Sequence, residues 1–308
     1  MLIGVTGGGG YVGNVLVRHL LKLGHSVRVM DNFHKGQCDA LFSVAGDPMF
    51  SFQYGSVTSK NDCDKSVAGL DGIIHLAAIV GFPACKKNPD LSKAVNVGGT
   101  EKLLAARKGL PFVFASTGSV YGAVEGVCTE ESPLNPLTEY GIDKLAAERA
   151  VTSEENTVAL RFSTGFGLSP CMRVNLLVND FVYQATKNRC LTVFEPDARR
   201  TFIHVEDMAI AFTKSLLALA NGKELYKVYN AGDNDLNWTK RQVAEYVKNE
   251  TGCVVNYEEI GKDLDQRDYA VNFSKFNNDI MTCTFPMGYG IKQLIKAAPL
   301  LQISHQYE

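Results

Sequence analysis

The chain opens with a short apolar run, Leu2-Ile3-Gly4-Val5, that passes straight into Thr6-Gly7-Gly8-Gly9-Gly10-Tyr11-Val12-Gly13 and then into apolar residues at helical spacing as far as Leu23. No other stretch limits the fold as tightly. Glycine allows a sharp turn out of a strand, leaves no Cβ between the backbone and an approaching pyrophosphate, and lets helix and strand pack closely; Gly7, Gly10 and Gly13 stand where these properties are needed. The helix that follows aims its N-terminal dipole at the same point, and Gly24 is its stop signal. A phosphate cradle is the expected structure. Ser26-Val27-Arg28-Val29-Met30 then predicts a second strand ending at Asp31. A carboxylate there takes both hydroxyls of an adenosine ribose and repels a 2′-phosphate, so NAD is expected over NADP.

Strand signals recur near residues 2–6, 26–31, 50–54, 72–78, 111–117 and 157–162, with helical stretches between most of them. This alternation predicts an α/β fold, a doubly wound parallel sheet of the Rossmann type. After Gly165 the rhythm loosens, with helices expected around 174–188, 206–221 and 239–250. A Rossmann domain over residues 1–165, with later segments returning to it, and a smaller C-terminal α/β substrate lobe over 166–308 are therefore expected. Ligands of such sheets bind at the carboxyl ends of the strands.

A net charge of −2, without basic or acidic blocks, argues against nucleic-acid and anionic-membrane partners. No apolar run approaches the ~18 residues of a membrane span. The first residues read as a core strand, not a leader, so a cytoplasmic location is expected. The eight cysteines are scattered without a Cys-x-x-Cys pair, which predicts buried reduced thiols and no metal or disulfide framework. Cys85 follows a strand end where it could line a pocket. His75, inside Ile73-Ile74-His75-Leu76-Ala77-Ala78, is expected to be a hydrogen-bonded core histidine.

Tyr140-Gly141-Ile142-Asp143-Lys144 places a phenol and an ammonium on one face of a helix. Asn135 is the expected cap, with Pro136 in the first turn. A free tyrosine titrates near 10, so a base working at pH 7 needs that value lowered by about 3 units, roughly 4 kcal/mol. Lys144 and an oxidised nicotinamide supply the positive field. Upstream, Phe112-Val113-Phe114-Ala115-Ser116-Thr117-Gly118-Ser119 is a buried strand ending in hydroxyls that can bridge a substrate oxygen to the tyrosine.

With these motifs in place, the chain resembles the extended short-chain dehydrogenase/reductase family, the NAD-dependent nucleotide-sugar epimerases and dehydratases. The resemblance runs from Thr6 to about Lys275. It is carried by the glycine turn, Asp31-Asn32, His75 to Ala78, Asn96-Val97-x-Gly99-Thr100, Ser116 to Gly122, Tyr140-x-x-x-Lys144, Arg200 to Asp207 and Tyr229 to Gly232. It implies Thr117, Tyr140 and Lys144 as catalytic residues, Tyr140 being the acid/base and Lys144 also holding the nicotinamide ribose. Cofactor contacts are implied for Gly7, Gly10, Tyr11, Val12, Gly13, Asp31, Asn32, Ser56, Val57, Leu76, Ala77, Ala78, Asn96, Ser116, Tyr140, Lys144 and Phe162. Substrate contacts are implied for Thr117, Ser119, Thr164, Asn175, Leu176, Leu177 and Phe194, with Arg200 and Arg267 gripping a pyrophosphate.

The resemblance further implies a nucleotide-diphosphate sugar as substrate, oxidation at its carbon 4, and a homodimer. Family dehydratases of the 4,6-type carry Asp-Glu directly after the threonine; Gly118-Ser119 stands here instead, which argues against 4,6-dehydration. Ser56 replaces an acidic residue often found near adenine, and Thr164 an asparagine. Leu168 to Arg173, Asn175 to Asp180 and Gln266-Arg267-Asp268-Tyr269 are similar to a bacterial subgroup that includes GDP-heptose 4-dehydrogenases. Epimerisation is the leading expectation and net oxidation or ketone reduction the alternative. A non-catalytic NAD(H)-binding regulator is a third reading, one that the retained Tyr140 and Lys144 oppose.

Overall fold

The computed structural model describes residues 1–34, 38–122, 124, 126–258 and 270–301. Seven parallel strands form the central sheet: β1 (Leu2–Thr6), β2 (Ser26–Asp31), β3 (Phe50–Tyr54), β4 (Gly72–His75), β5 (Phe112–Thr117), β7 (Thr157–Phe162) and β11 (Val228–Ala231). A two-residue strand, β6 (Val127–Cys128), falls outside this sheet. Their order is β11-β7-β5-β4-β1-β2-β3, so the connection reverses direction between β1 and β4. That reversal opens a crevice at the carboxyl edge. Every side chain of β4 and β7 is buried, as sheets covered on both faces require.

On one face, Leu16, Val17 and Leu20 of α1 (Tyr11–Lys22) share a core with Ile3, Val5, Ile74 and Val113 of the sheet. On the other, α2 (Lys60–Ser66), α5 (Thr100–Ala106) and α6 (Glu139–Thr152) supply Cys63, Leu103, Ala106, Ala147 and Val151. Between α2 and α5 lie the short helices α3 (Phe82–Lys87) and α4 (Pro89–Lys93).

A second core begins at β8 (Thr164–Phe166). It gathers α7 (Leu177–Lys187), β9 (Cys190–Phe194) and β10 (Arg199–His204) around Phe166, Val182, Leu191 and Phe202. The chain then returns: α8 (Val205–Ala220) packs Met208, Phe212 and Leu216 on the first core, and β11 completes the main sheet. The remaining elements are β12 (Asn237–Thr239), α9 (Lys240–Thr251), β13 (Val254–Glu258), β14 (Ala270–Val271), α10 (Ser274–Asp279) and α11 (Met287–Ala297). Among them α9 and α11 close the second core with Val243, Val247, Ile291 and Leu294. Among the described residues no helix is long and apolar enough to cross a membrane.

Four expectations need correction. The strand expected over 72–78 ends at His75, because its neighbour β1 ends at Thr6 and Ala77 N–H bonds to the Thr6 hydroxyl (3.3 Å) in place of a ladder partner. The helical stretch expected between the strands near 72–78 and 111–117 is interrupted by a wider π turn at Ala94–Gly99. The cap of α6 is Thr138, not Asn135: Thr138 is extended, and its hydroxyl accepts Gly141 N–H at 3.2 Å. Asn135 belongs to the approach, with its carbonyl packed where a Cβ on Gly122 would lie 1.9 Å away. Replacing Thr138 with alanine is expected to cost about 1 kcal/mol, read as a lower denaturation midpoint with unchanged slope. Finally, Cys38 is exposed and Cys190 and Cys283 are half-buried, whereas the other five thiols are buried.

His75 is a core histidine. Its Nδ1 lies 2.6 Å from the Thr6 hydroxyl and its Nε2 3.0 Å from that of Thr100. Burial holds it neutral, with its pKa lowered to about 3.

Candidate active site

A single cavity of about 1460 Å³ follows the crevice at the carboxyl edge of the sheet and continues into the second core. The glycine turn forms one wall. Gly7 has φ +73°, and a Cβ on it would sit 2.7 Å from Ala77 N; a Cβ on Gly13 would lie 2.2 Å from Gly7 O. Those two glycines therefore bring strand, turn and helix into direct backbone contact. Gly10, in the N-cap position of α1, has no side chain to satisfy the first helical N–H groups, and no acidic residue occupies the first turn. This is an anion-binding helix end.

Asp31 ends β2 on the cavity wall; its Oδ2 accepts Gly9 N–H at 2.9 Å and its Oδ1 accepts Phe33 N–H at 2.8 Å. Each carboxylate oxygen retains a lone pair for a sugar hydroxyl. Tyr11, Val12, Asn32, Ser56, Val57, Leu76, Ala77, Ala78, Ser116 and Phe162 line the same wall. Asn96 does not. It is buried, and its amide holds Ile79 from both sides, accepting Ile79 N–H at 2.8 Å and donating to Ile79 O at 3.0 Å, so it shapes the loop after β4. Cys85 is also off the wall and donates its thiol to Ile79 O at 3.4 Å.

Beyond the turn, Thr117 ends β5 and Tyr140 and Lys144 lie one turn apart on α6, all three on the cavity wall. The Thr117 and Ser119 hydroxyls are 3.1 Å apart. Lys144 is buried, with Nζ 3.9 Å from the centre of the Phe114 ring. Burial pushes its pKa down from 10.5 to about 7, and Glu148 resists that push. An ammonium poised near neutrality beside a phenol is suited to moving a proton.

The far part of the cavity is lined by Thr164, Asn175, Leu176, Leu177, Phe194 and Arg200. Arg200 is buried and donates to Arg199 O at 2.9 Å. Arg267 falls outside the described residues. Arg173 and Asp180, from the runs that resemble the bacterial subgroup, also line the wall, as does Lys240, which sequence reasoning missed. Lys240 is buried, donating to Phe194 O at 3.1 Å and lying 3.6 Å from Glu195. A lysine inside a Thr-x-x-Gln capping box, at the first position of a helix, looks like any solvated residue in sequence.

The family model described as "NAD dependent epimerase/dehydratase family" matches residues 3–232. A UDP-glucose 4-epimerase of Streptomyces lividans is 30% identical over 272 residues, 80% of this chain and 80% of that protein. UDP-glucose 4-epimerase 2 of Arabidopsis thaliana is 31% identical over 79% of each chain. The UDP-glucuronic acid 4-epimerase of Bacillus cereus, solved with UDP-glucuronic acid and NAD, superposes with a TM-score of 0.85 at 23% identity, covering 98% of this chain and 100% of that one. At that identity the superposition speaks for the fold. The chain belongs to the NAD-dependent epimerase/dehydratase family, and NAD is its cofactor. The glycine cradle, the open helix end and Asp31 fit that group.

Proposed function

We propose that the protein is a 4-epimerase of a nucleotide-diphosphate sugar. The supporting observation is that Thr117, Tyr140 and Lys144 meet on one wall of the cavity that also holds the glycine turn and Asp31. In this reading Tyr140 removes the proton of the sugar O4, Thr117 holds that oxygen, and Lys144 keeps positive charge beside the phenolate. NAD, when bound, supplies a hydride acceptor. For an epimer to form, the 4-keto sugar would turn over in the cavity and take the hydride back at carbon 4 on its opposite face, while Tyr140 returns the proton to O4. Gly118-Ser119 after Thr117 offers no acid pair for eliminating water, which favours epimerisation over 4,6-dehydration.

Residues 1–165, with the segments that return to them, hold NAD in this proposal. The lobe from 166 onward holds the nucleotide, with Arg200 on its diphosphate and Asn175, Leu176, Leu177 and Phe194 around it; Arg267 is assigned a second diphosphate contact. Homodimerisation belongs to the same proposal, and Ile142 on α6 is an exposed apolar residue available to it. Net oxidation is the second reading, favoured by the likeness of Leu168 to Arg173 and Asn175 to Asp180 to the GDP-heptose dehydrogenase subgroup.

Incubation with UDP-, GDP-, dTDP- and CDP-sugars, following NADH absorbance and sugar products together, separates the two. Epimer without accumulating NADH is expected. A ketone formed in step with NADH would replace the epimerase reading with the dehydrogenase one, and NADH that no sugar nucleotide exchanges would point to the regulator.

A further inference from the structure

Behind the wall that carries Thr117 lies a buried charge pair with no part in the chemistry described so far. Glu148 sits on α6 one turn beyond Lys144 and two beyond Tyr140, and Arg161 projects from β7; their side chains are 3% and 4% exposed. The pair is bidentate, with Arg161 Nη2 donating to Glu148 Oε1 at 2.7 Å and Nε to Oε2 at 3.1 Å. The second carboxylate oxygen also accepts the Ser116 hydroxyl at 2.5 Å. Arg161 Nη1 donates to the Tyr121 hydroxyl at 3.0 Å, which in turn donates to Asn230 Oδ1 at 2.6 Å.

The connectivity has a consequence. Ser116 and Tyr121 bracket the segment that presents Thr117 and Ser119, and both ends of that segment are tied to one ion pair whose acid belongs to the helix of Tyr140 and Lys144. We propose that Glu148 and Arg161 are positioning residues that lock the Thr117 segment in register with Tyr140 and keep Lys144 cationic. This rests on the acid/base reading given above.

Two considerations support the proposal. A buried ion pair is weak evidence for stability, because apolar residues of similar volume often replace it without loss. Besides Tyr140 one turn earlier on α6, the titratable groups around Lys144 include Glu148 from its own helix, Cys85 from α3 and His75 from β4. His75 is held neutral, and burial pushes the Cys85 thiol up. Glu148 is thus the charged neighbour that favours the ammonium.

The test uses the full chain loaded with NAD and the double variant Glu148→Met/Arg161→Met, with Tyr121→Phe as a milder cut of the same network. Three quantities are read: the thermal midpoint, the ionisation of Tyr140 by tyrosinate difference absorbance with a Tyr140→Phe sample as blank, and kcat and KM on whichever sugar nucleotide of the panel turns over. The expected result for the double variant is a midpoint close to wild type, a Tyr140 ionisation moved up by about one pH unit, and kcat reduced about tenfold at nearly constant KM. Tyr121→Phe should move the ionisation in the same direction by less. A wild-type ionisation and kcat in a folded double variant overturns the proposal; if that variant does not fold, an unchanged ionisation in Tyr121→Phe does so. Full turnover by Tyr140→Phe refutes the acid/base reading itself, whereas an inactive Tyr140→Phe beside a normally titrating double variant refutes only the positioning role.

Discussion

Tyr140→Phe is expected to lower turnover of the accepted sugar nucleotide by about 10³-fold while NAD binding stays within about twofold of wild type, since positioned acid–base groups contribute 10²–10⁴. The substitution removes one oxygen and keeps the ring, so the cavity wall retains its shape. The cofactor contacts proposed for the glycine turn and Asp31 lie on different elements from α6. In the proposed mechanism what is lost is the proton acceptor: the hydroxyls of Thr117 and Ser119 are too weak as bases, and any substitution by the neutral form of Lys144, whose pKa is lowered to about 7, would show as residual single-turnover rate. Hydride transfer in a single turnover, followed by NADH absorbance, isolates this step from product release. A variant that keeps more than about a tenth of wild-type single-turnover rate would remove Tyr140 from the role given to it.

How much of this was legible beforehand depends on whether a residue's job is local. The strands β1 and β7 fall where strand signals predicted them, because burial on both faces writes itself into consecutive residues, whereas β3, at the edge of the sheet, keeps its side chains partly covered or exposed. Gly7, Asp31, Thr117 and Tyr140 lie on the cavity wall because each stands at or just after a strand end or in a first helical turn, positions a doubly wound sheet presents to ligand, and Lys144 shares the helix face of Tyr140 one turn on. The hold of Asn96 on Ile79 was not legible, because the two are 17 residues apart and spacing carries no trace of that contact. The chain leading to the cap at Thr138 makes another remote contact that spacing does not show, the Asn135 carbonyl against Gly122. Arg161 was in principle readable. A guanidinium inside Val158-Ala159-Leu160-Arg161-Phe162 demands a buried acid, and Glu148, on the face that Tyr140 and Lys144 share, is the acid that meets it.

Lys144→Met is expected to stabilise the NAD-free protein at pH 6.5 by up to about 4 to 5 kcal/mol while reducing turnover by at least about 10²-fold. The sign follows from proton linkage. Lys144 is buried and its pKa is lowered from 10.5 to about 7, so between those values the unfolded chain holds a proton that the folded protein does not. Stability contributed by this site therefore rises with pH across that window. Below about 7 both states carry the charge and the burial penalty is at its full, constant value; above 10.5 both are neutral and the penalty vanishes. Methionine fills the same space beside Phe114 without a charge to desolvate, and Glu148 keeps its pairing to Arg161, so no new unpaired ion is created. Denaturant unfolding of wild type and variant at several values from pH 6 to 10 should show a gap that is widest at the acid end and closes as pH rises. A variant less stable than wild type at pH 6.5 would mean that Glu148 and the Phe114 ring more than compensate the buried ammonium. In that case Lys144 belongs to the supporting structure of the site and is not a group held there at the expense of stability.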